Sequence, residues 1–537
     1  MNNSTRRPNI ILILADDMGF SDIGIMGSEI KTPYLDNMAR NGLLLSSMYN
    51  CSRCCPTRAS LLTGLYPHKA GIGHMTPNLG LRAYQGFLRE DALTIAEVLK
   101  ISGYKTLMSG KWHVGGNYIA RDADNWNVGD TEHPTPRQRG FDRFFGIVDG
   151  SANHFSPHYL MEDDNRIEVV SENFYFTDAI TDKAINMIKN TNAEQPFFLY
   201  LGHTAPHWPL QAPAETIAKY ENFYQKGWDY FRSARHEEML DLGVLRHKWE
   251  LSPRDAAAPS WKDTKHTDWE AMKMAVYAAQ VDHMDQSIGR LLKSLENQGK
   301  LDNTLIFFLS DNGGCAEFLA EDGFLQRFPN ETADGRRVEL GNKVGLCPGG
   351  AQTFMSYDLP WSNVSNVPFR LFKHWVHEGG ISTPLIIHWP DKIKKSNINH
   401  EPAHVIDIMP TILDAAGTTY PKSYEDHEMM QLDGVSLLPM IKGENWKRDQ
   451  PIYWEHEGNS AIRIDNMKLV RLHGQPWELY DMDNDRTELH NLAGKNTPLE
   501  EKLKAEYGDW EKSCGVEDWS RIEERFLKAF NMKSIHG

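Results

Sequence analysis

Two apolar runs in this chain end in paired oxygen-bearing side chains. Asn9-Ile-Ile-Leu-Ile-Leu-Ala15 stops at Asp16-Asp17, and Asn303-Thr-Leu-Ile-Phe-Phe-Leu-Ser310 stops at Asp311-Asn312-Gly313-Gly314. Continuous apolar runs suit parallel strands covered on both faces, and ligands in such sheets bind beyond the carboxyl ends of the strands. A single pair would read as a helix or turn cap. Two pairs, with Asp16, Asp17, Asp311 and the Asn312 amide, make an all-oxygen set suited to a hard cation. Calcium is the expected ion and magnesium the runner-up. No histidine stands beside either pair, which argues against zinc.

Between these runs lies Cys54-Cys55-Pro56-Thr57-Arg58-Ala59-Ser60-Leu61-Leu62-Thr63-Gly64. Pro56 is placed as the first helical residue and Gly64 as the one that ends the helix. Cys54 then stands at a helix N-terminus, where backbone N–H groups favour an anion. By residue type alone three readings stay open. Cys51 and Cys54 have C-x-x-C spacing, but no second pair completes a zinc site. A redox dithiol lacks thioredoxin-like surroundings, and a simple reactive or buried cysteine is the default.

The elements that must position these groups alternate. Pro196-Phe-Phe-Leu-Tyr-Leu201 and Pro384-Leu-Ile-Ile-His-Trp389 read as further buried strands, and Leu93 to Ser102 and Met272 to Leu295 as helices. Strand and helix in alternation indicate an α/β sandwich with a large, mostly parallel sheet. Near Asp449 the texture changes to short strands (Pro451–Trp454, Met467–Arg471, Trp477–Tyr480) and a helix near Leu499 to Trp510. The expected domains are therefore a catalytic α/β domain over 1–445 and an α+β unit over 446–537. Stretches 222–268 and 315–366 read as long irregular loops, and loops of that length are usually functional.

With 537 residues, 40% of them hydrophobic, the chain can bury a large core. A formal charge of -16 argues against nucleic acid or an anionic membrane as the main partner. No apolar run is long enough to span a bilayer, and Ile10 to Leu14 is too short for a signal-peptide core. The chain as given reads as cytoplasmic, or as periplasmic or secreted if an export signal has been removed.

The segment Cys54 to Gly64 fits the pattern C-x-P-[ST]-R-x-x-x-L-T-G, the maturation signature of type I sulfatases. The resemblance extends along most of the chain. Residues 8–22 look like that family's opening strand and metal loop. Gly110-Lys111-Trp112-His113 matches its G-K-W-H motif, and Ala205-Pro206-His207-Trp208-Pro209 its second active-site histidine segment. Asp311-Asn312-Gly313 matches the second metal pair, and Lys373 precedes Glu378-Gly379-Gly380 at the family spacing. Glu478 to Asp481 with Glu488 to Leu492 resembles its C-terminal domain. The chain is similar above all to bacterial arylsulfatase-like members, through segments such as Ala205 to Pro213 and Gly71 to Met75.

That resemblance implies an alkaline phosphatase-like fold and a calcium-dependent hydrolase of sulfate esters. Cys54 would be oxidised by a maturation enzyme to formylglycine, whose hydrate attacks sulfur and adds a ligand to the metal held by Asp16, Asp17, Asp311 and Asn312. Arg58 would hold that residue, and His113 would take its second proton. Lys111 and Lys373 would neutralise the sulfate oxygens, and His207 would bind substrate and protonate the leaving alcohol. Phosphate or phosphonate esters, and an inactive glycan-binding relative, are the alternatives.

Two departures stand out. Position 55 is a second cysteine rather than a small polar residue, and Ser382 stands where relatives often carry arginine. The natural substrate is expected to be a sulfated sugar cleaved at a chain end, with aryl sulfates as surrogates. The reason is the aromatic and amide content of the two long stretches: Phe318, Phe324, Tyr357, Trp361, Asn363 and Asn366, with Tyr224, Trp228 and Tyr230.

Overall fold

The computed structural model describes residues 6–118, 122, 125–169, 173–320 and 327–529. In chain order its first strands are β1 (Asn9–Asp16), β2 (Leu43–Tyr49), β3 (Lys105–Lys111), β4 (Arg143–Ile147), β5 (Leu160–Glu162), β6 (Asn165–Ile167), β7 (Phe197–Pro206) and β8 (Thr304–Ser310). A short pair follows, β9 (Glu339–Leu340) with β10 (Thr353–Phe354), then β11 (Ser382–His388), β12 (Asn397–Asn399) and β13 (Ala403–His404). The main sheet runs β12-β2-β11-β8-β1-β7-β3-β4-β5-β6, with β13 also paired to β2.

The pairs β8–β1, β1–β7, β7–β3 and β3–β4 are all parallel. The run at Pro384 is buried as expected but is not a parallel strand: β11 lies antiparallel to both β2 and β8. It leaves the turn Glu378–Ile381, which packs beside the carboxyl end of β8, so the chain must run away from that edge. An apolar run reports burial on two faces and carries no information on direction.

Side chains alternate across β1. Ile10, Leu12 and Leu14 enter one core, and Ile11, Ile13 and Ala15 the other. The first face is covered by helices that include Ile95–Ile101, whose start is fixed by a Thr94–Glu97 capping box. Phe176–Lys189 and the long helix Thr267–Asn297 cover the second. No helix among the described residues is long and apolar enough to cross a membrane.

The stretches expected as loops carry structure. Residues 222–268 contain the helix Gly227–Asp241, and 315–366 contain β9, β10 and the helix Asp358–Ser365. After the small hairpin β14 (Ser423–Tyr424) and β15 (His427–Glu428) comes an antiparallel meander. It consists of β16 (Ile452–His456), β17 (Asn459–Ile464), β18 (Met467–Arg471) and β19 (Glu478–Asp481), backed by the helix Thr497–Cys514. Strand β17 and the last helix, Trp519–Ala529, were not expected. That helix returns to the catalytic body, where Ile522 packs with Leu79 and Tyr84.

Candidate active site

Four adjacent parallel strands deliver their carboxyl ends to one edge. In register, Ala15 lies beside Ser310, Asp16 beside Pro206, and Gly110 beside Gly202. The residues that follow therefore converge: Asp311-Asn312 after β8, Asp16-Asp17 at β1, His207 after β7, and Lys111 closing β3. Asp17 (φ 63) and His113 (φ 55) adopt left-handed backbone, the kind of strain that gathers at functional sites. The helix Cys54–Thr63 points its N-terminus at the same edge. It begins at Cys54 rather than at Pro56, with Arg53 as the N-cap, and Gly64 (φ 68) ends it as expected.

The side chains form one buried network. Lys111 Nζ donates to Asp16 Oδ2 at 2.7 Å, and Lys373 Nζ to Asp17 Oδ2 at 2.9 Å. Asn312 Nδ2 donates to Asp17 Oδ1 at 2.7 Å. Arg58 donates from Nε and Nη2 to Asp311 Oδ2 at 3.1 and 2.8 Å. Its Nη1 serves the Lys111 carbonyl and the Tyr200 hydroxyl. Arg58 thus faces the carboxylates and β3. The donor atoms of Cys54, Cys55 and His113 lie within 4.8 Å of one another, with Cys55 Sγ 3.2 Å from His113 Nε2. His207 donates through Nδ1 to the Trp208 carbonyl at 2.6 Å, leaving Nε2 3.5 Å from Lys373 Nζ.

This geometry has known counterparts. The model of the sulfatase family matches residues 8–418, and that described as N-sulphoglucosamine sulphohydrolase, C-terminal, matches 369–512. The chain belongs to the sulfatase family. It hydrolyses sulfate esters. An uncharacterized sulfatase of Schizosaccharomyces pombe is 33% identical over 546 residues, covering 95% of each chain. The arylsulfatase of Klebsiella aerogenes is 33% identical over 450 residues, 80% of this chain and 91% of that one. Among solved structures, Ps i-CgsB in complex with k-i-k-neocarrahexaose is similar at a TM-score of 0.67 and 27% identity, over 98% of this chain and 100% of that one.

Electrostatics in this sulfatase follow from burial and the crossed charges. Burial lifts Asp16 above its ordinary value, and with Asp16 beside it lifts Asp311 to about 7. Burial also works to raise Asp17, but His207 and Lys373 outweigh it and hold that carboxyl low. The Cys55 thiol, with Lys111 and His113 and against burial, draws Cys54 well below the usual thiol range. Burial, with Lys373 and Lys111 and against Asp17, pulls His207 down to about 4. Its Nε2 lies between the Lys373 ammonium at 3.5 Å and Asp17 Oδ2 at 3.4 Å.

The carboxyl-end cluster fits a hard cation. Asp16 Oδ1 and Asn312 Oδ1 are buried acceptors without a hydrogen-bond partner among the described residues, although Arg58 Nη2 stands 3.5 Å from the first. Together with Asp17 and Asp311 they form an oxygen set of the kind calcium takes. Gly313 keeps this loop close to the turn behind it. Its N–H donates to Gly380 O at 3.0 Å, and a Cβ there would lie 1.9 Å from Gly379 O.

A cavity of about 130 Å³ opens from Cys54, His113, His207 and Lys373. Its walls are not the aromatics expected from the sequence. Tyr224, Trp228, Tyr357 and Trp361 are buried in a separate core, where Trp361 lies 5.5 Å from both Tyr224 and Trp228. Phe318 and Tyr230 are exposed, and Phe324 lies outside the described residues. Asn366 and Asn363 are structural: Asn366 Oδ1 accepts from Gly314 N–H, and Asn363 Oδ1 from Asp255 N–H. The cavity is lined instead by Tyr118, Trp208, Phe328 and Phe526, with Arg53, Asp149, Glu317 and Arg327. Trp208 lies within one matched motif and Arg53 adjoins another, which was the available signal. Glu317 ties them together, accepting from Trp208 Nε1 at 2.9 Å and pairing with Arg53 at 3.3 Å.

His203 lies on β7, and its electrostatic neighbours are Arg290 and Asp178, not the site. The arginine missing at Ser382 has a counterpart from the C-terminal unit. Arg486 donates to Ser382 Oγ at 3.2 Å and to Glu378 Oε2 at 2.7 Å.

Proposed function

We propose that this sulfatase works through a formylglycine made from Cys54, beside a calcium ion held by Asp16, Asp17, Asp311 and Asn312. Its natural substrate, on this reading, is a sulfated carbohydrate. What supports the nucleophile assignment is the meeting of Cys54, Lys111 and His113 at a helix N-terminus, beside the carboxylates of β1 and β8. The bound ion supplies positive charge against the sulfate oxygens.

The chain's own residues do the rest. Lys111 and Lys373 bracket the sulfate, each already anchored on a carboxylate. Arg58 fixes Asp311 and the Cys54 helix against β3. Burial keeps His113 below its ordinary value, so it stands ready to take a proton from the residue at 54. His207 and Lys373 divide the work: Lys373 keeps its proton for the sulfate oxygens, and His207, protonated at Nε2, gives that proton to the departing alcohol.

The sugar assignment rests on the cavity, where Tyr118, Trp208 and Phe328 offer flat apolar faces beside Arg53, Asp149, Glu317 and Arg327. The similar structure Ps i-CgsB binds an oligosaccharide, k-i-k-neocarrahexaose. Mass spectrometry of the peptide containing residue 54 should show aldehyde in place of thiol. Activity in Cys54→Ala would overturn the nucleophile. A panel of sulfated mono- and oligosaccharides against nitrophenyl sulfate tests the substrate, and the assignment fails if no sugar sulfate is hydrolysed.

A further inference from the structure

A second group of ligand-type side chains meets behind one wall of the cavity, where the catalytic body approaches the C-terminal meander. His74 comes from the loop after the helix Pro67–Ala70, His456 ends β16, and Glu457 opens the turn into β17. His74 Nε2 lies 2.8 Å from Glu457 Oε1, and His456 Nε2 lies 3.5 Å from the same oxygen. One donor atom from each of these residues falls within 4.8 Å of the others. His74 is 2% exposed and His456 0%.

Two features set this group apart from an ordinary buried ion pair. His456 is fully buried, yet neither ring nitrogen makes a hydrogen bond with any described residue, while Nε2 is aimed at Glu457. Buried polar atoms are rarely left that way, because the desolvation cost is uncompensated. The backbone is also strained on both sides of the carboxylate: Glu457 has φ 52 and His374 φ 94, where non-glycine residues are uncommon. His374 Nδ1 lies 2.8 Å from the other carboxylate oxygen, Oε2, and so orients the group from behind. Trp519 and Phe526 pack on the His74 ring at 5.1 and 4.6 Å.

We propose that His74, His456 and Glu457 form a second metal site, for a borderline-soft divalent cation of the zinc class. Two imidazole nitrogens and a carboxylate oxygen are zinc donors, in contrast to the all-oxygen set at the catalytic edge. Tetrahedral bonds of ~2.0–2.1 Å put ligand atoms roughly 3.3 Å apart. The observed 2.8 and 3.5 Å separations bracket that edge. His374 is the outer partner that fixes the ligating carboxylate, as metal ligands commonly require.

The ion ties the β16–β17 turn to the loop bearing Met75, Thr76 and Pro77, which line the cavity. Through His374 it also reaches Arg53, whose Nη1 lies 3.4 Å from His374 Nδ1, and the neighbouring Lys373. Its role is to brace one wall, so its loss should raise KM more than it lowers kcat.

The experiment is a metal titration of the full-length protein. Zn2+ is counted by elemental analysis after desalting, and Co2+ by its visible absorption, in the calcium-loaded enzyme. One zinc per chain is expected, with a four-coordinate Co2+ spectrum. Both should vanish in His74→Gln and His456→Gln, while calcium content and circular dichroism stay unchanged. His374→Gln, which keeps every ligand, should weaken zinc about 10–100-fold. A wild-type protein that takes up neither ion beyond its catalytic site overturns the proposal whatever the variants do. Zinc retained at full affinity in both ligand variants overturns it equally.

Discussion

The turn behind the metal loop is held by one carboxylate, and replacing Glu378 by Gln tests how much that matters. Glu378 is 0% exposed. Its Oε1 accepts from Lys468 Nζ at 2.8 Å. Its Oε2 accepts from Arg486 Nε at 2.7 Å and from Tyr49 Oη and Ser382 Oγ at 3.0 Å each. Lys468 also pairs with buried Glu488 at 2.8 Å. Burial raises the Glu378 carboxyl, but Lys468, Arg486 and Arg463 overcome it and hold the group at about 2, against an ordinary 4.5. At ~1.4 kcal/mol per pH unit, that depression corresponds to about 3 kcal/mol of stability. Removing one partner of a buried ion pair costs ~3–5 kcal/mol by experience elsewhere, so the two routes agree.

The sign of the pH dependence follows from the direction of the shift. A carboxyl depressed in the folded state stabilises it fully above about pH 4.5 and progressively less as pH falls toward about 2. Denaturant unfolding of wild type and Glu378→Gln, followed by circular dichroism, should show a gap of about 3 kcal/mol that is flat from pH 8 to about pH 5. By about pH 3 the gap should close to about 1 kcal/mol, because the wild type has lost most of the same term. Equal stability at pH 7 would refute the reasoning, as would a gap that does not narrow in acid.

Three further outcomes follow from the site. Asp311→Asn should lose stoichiometric calcium in elemental analysis and with it activity, leaving zinc at the second site untouched; a calcium-replete, active variant would sink the oxygen-set assignment. His207→Ala should slow esters of poorly acidic alcohols by ~10²–10⁴ but barely affect nitrophenyl sulfate, since a nitrophenolate leaves without a proton. Equal losses on both would make His207 a sulfate-binding group. Gly313→Ala forces a Cβ to 1.9 Å from Gly379 O, so overpacking should cost ~1–3 kcal/mol and lower calcium affinity; wild-type melting and calcium binding would show that the close approach is not needed.

The chemistry of the site was legible because it is written in short runs at strand ends. Asp16-Asp17 and Asp311-Asn312 are each consecutive, and parallel pairing of β1 with β8 brings them together without any side-chain detail. Lys111 and His207 were legible only through the motifs that resemble the family; the structure puts one at the end of β3 and the other just after β7. The walls were not, because they depend on where long excursions fold back. Trp361 and Trp228 have the composition of a sugar platform yet pack against each other, whereas Phe526 reaches the cavity from the last helix. The direction of β11 and the helix Gly227–Asp241 were missed on similar grounds. Direction is set by the turn Glu378–Ile381 rather than by hydrophobic pattern, and the helix buries Trp228, Phe231 and Met239 among many charges. Arg486 could not be read as a partner of Ser382 from residues 104 positions apart.

The balance of charge predicts that such a site turns over sulfate esters faster than phosphate esters. With an ion bound and its carboxylates ionised, Asp16, Asp17 and Asp311 stand against Lys111, Lys373 and Arg58 in one buried network, three charges facing three. A divalent ion adds two positive charges, and a sulfate monoester brings one negative. The bound complex keeps a positive surplus, which meets the negative charge that develops on the leaving oxygen as the ester bond breaks. Interactions that strengthen toward the transition state raise kcat, whereas those already complete in the ground state do not. A phosphate monoester arrives with about -1.5 to -2 charges at pH 7 and meets a site it already neutralises. Matched nitrophenyl sulfate and phosphate should therefore differ in kcat in favour of sulfate, while the phosphate ester binds at least as tightly as a competitive inhibitor. A higher kcat on phosphate would show that something other than this charge balance selects the ester.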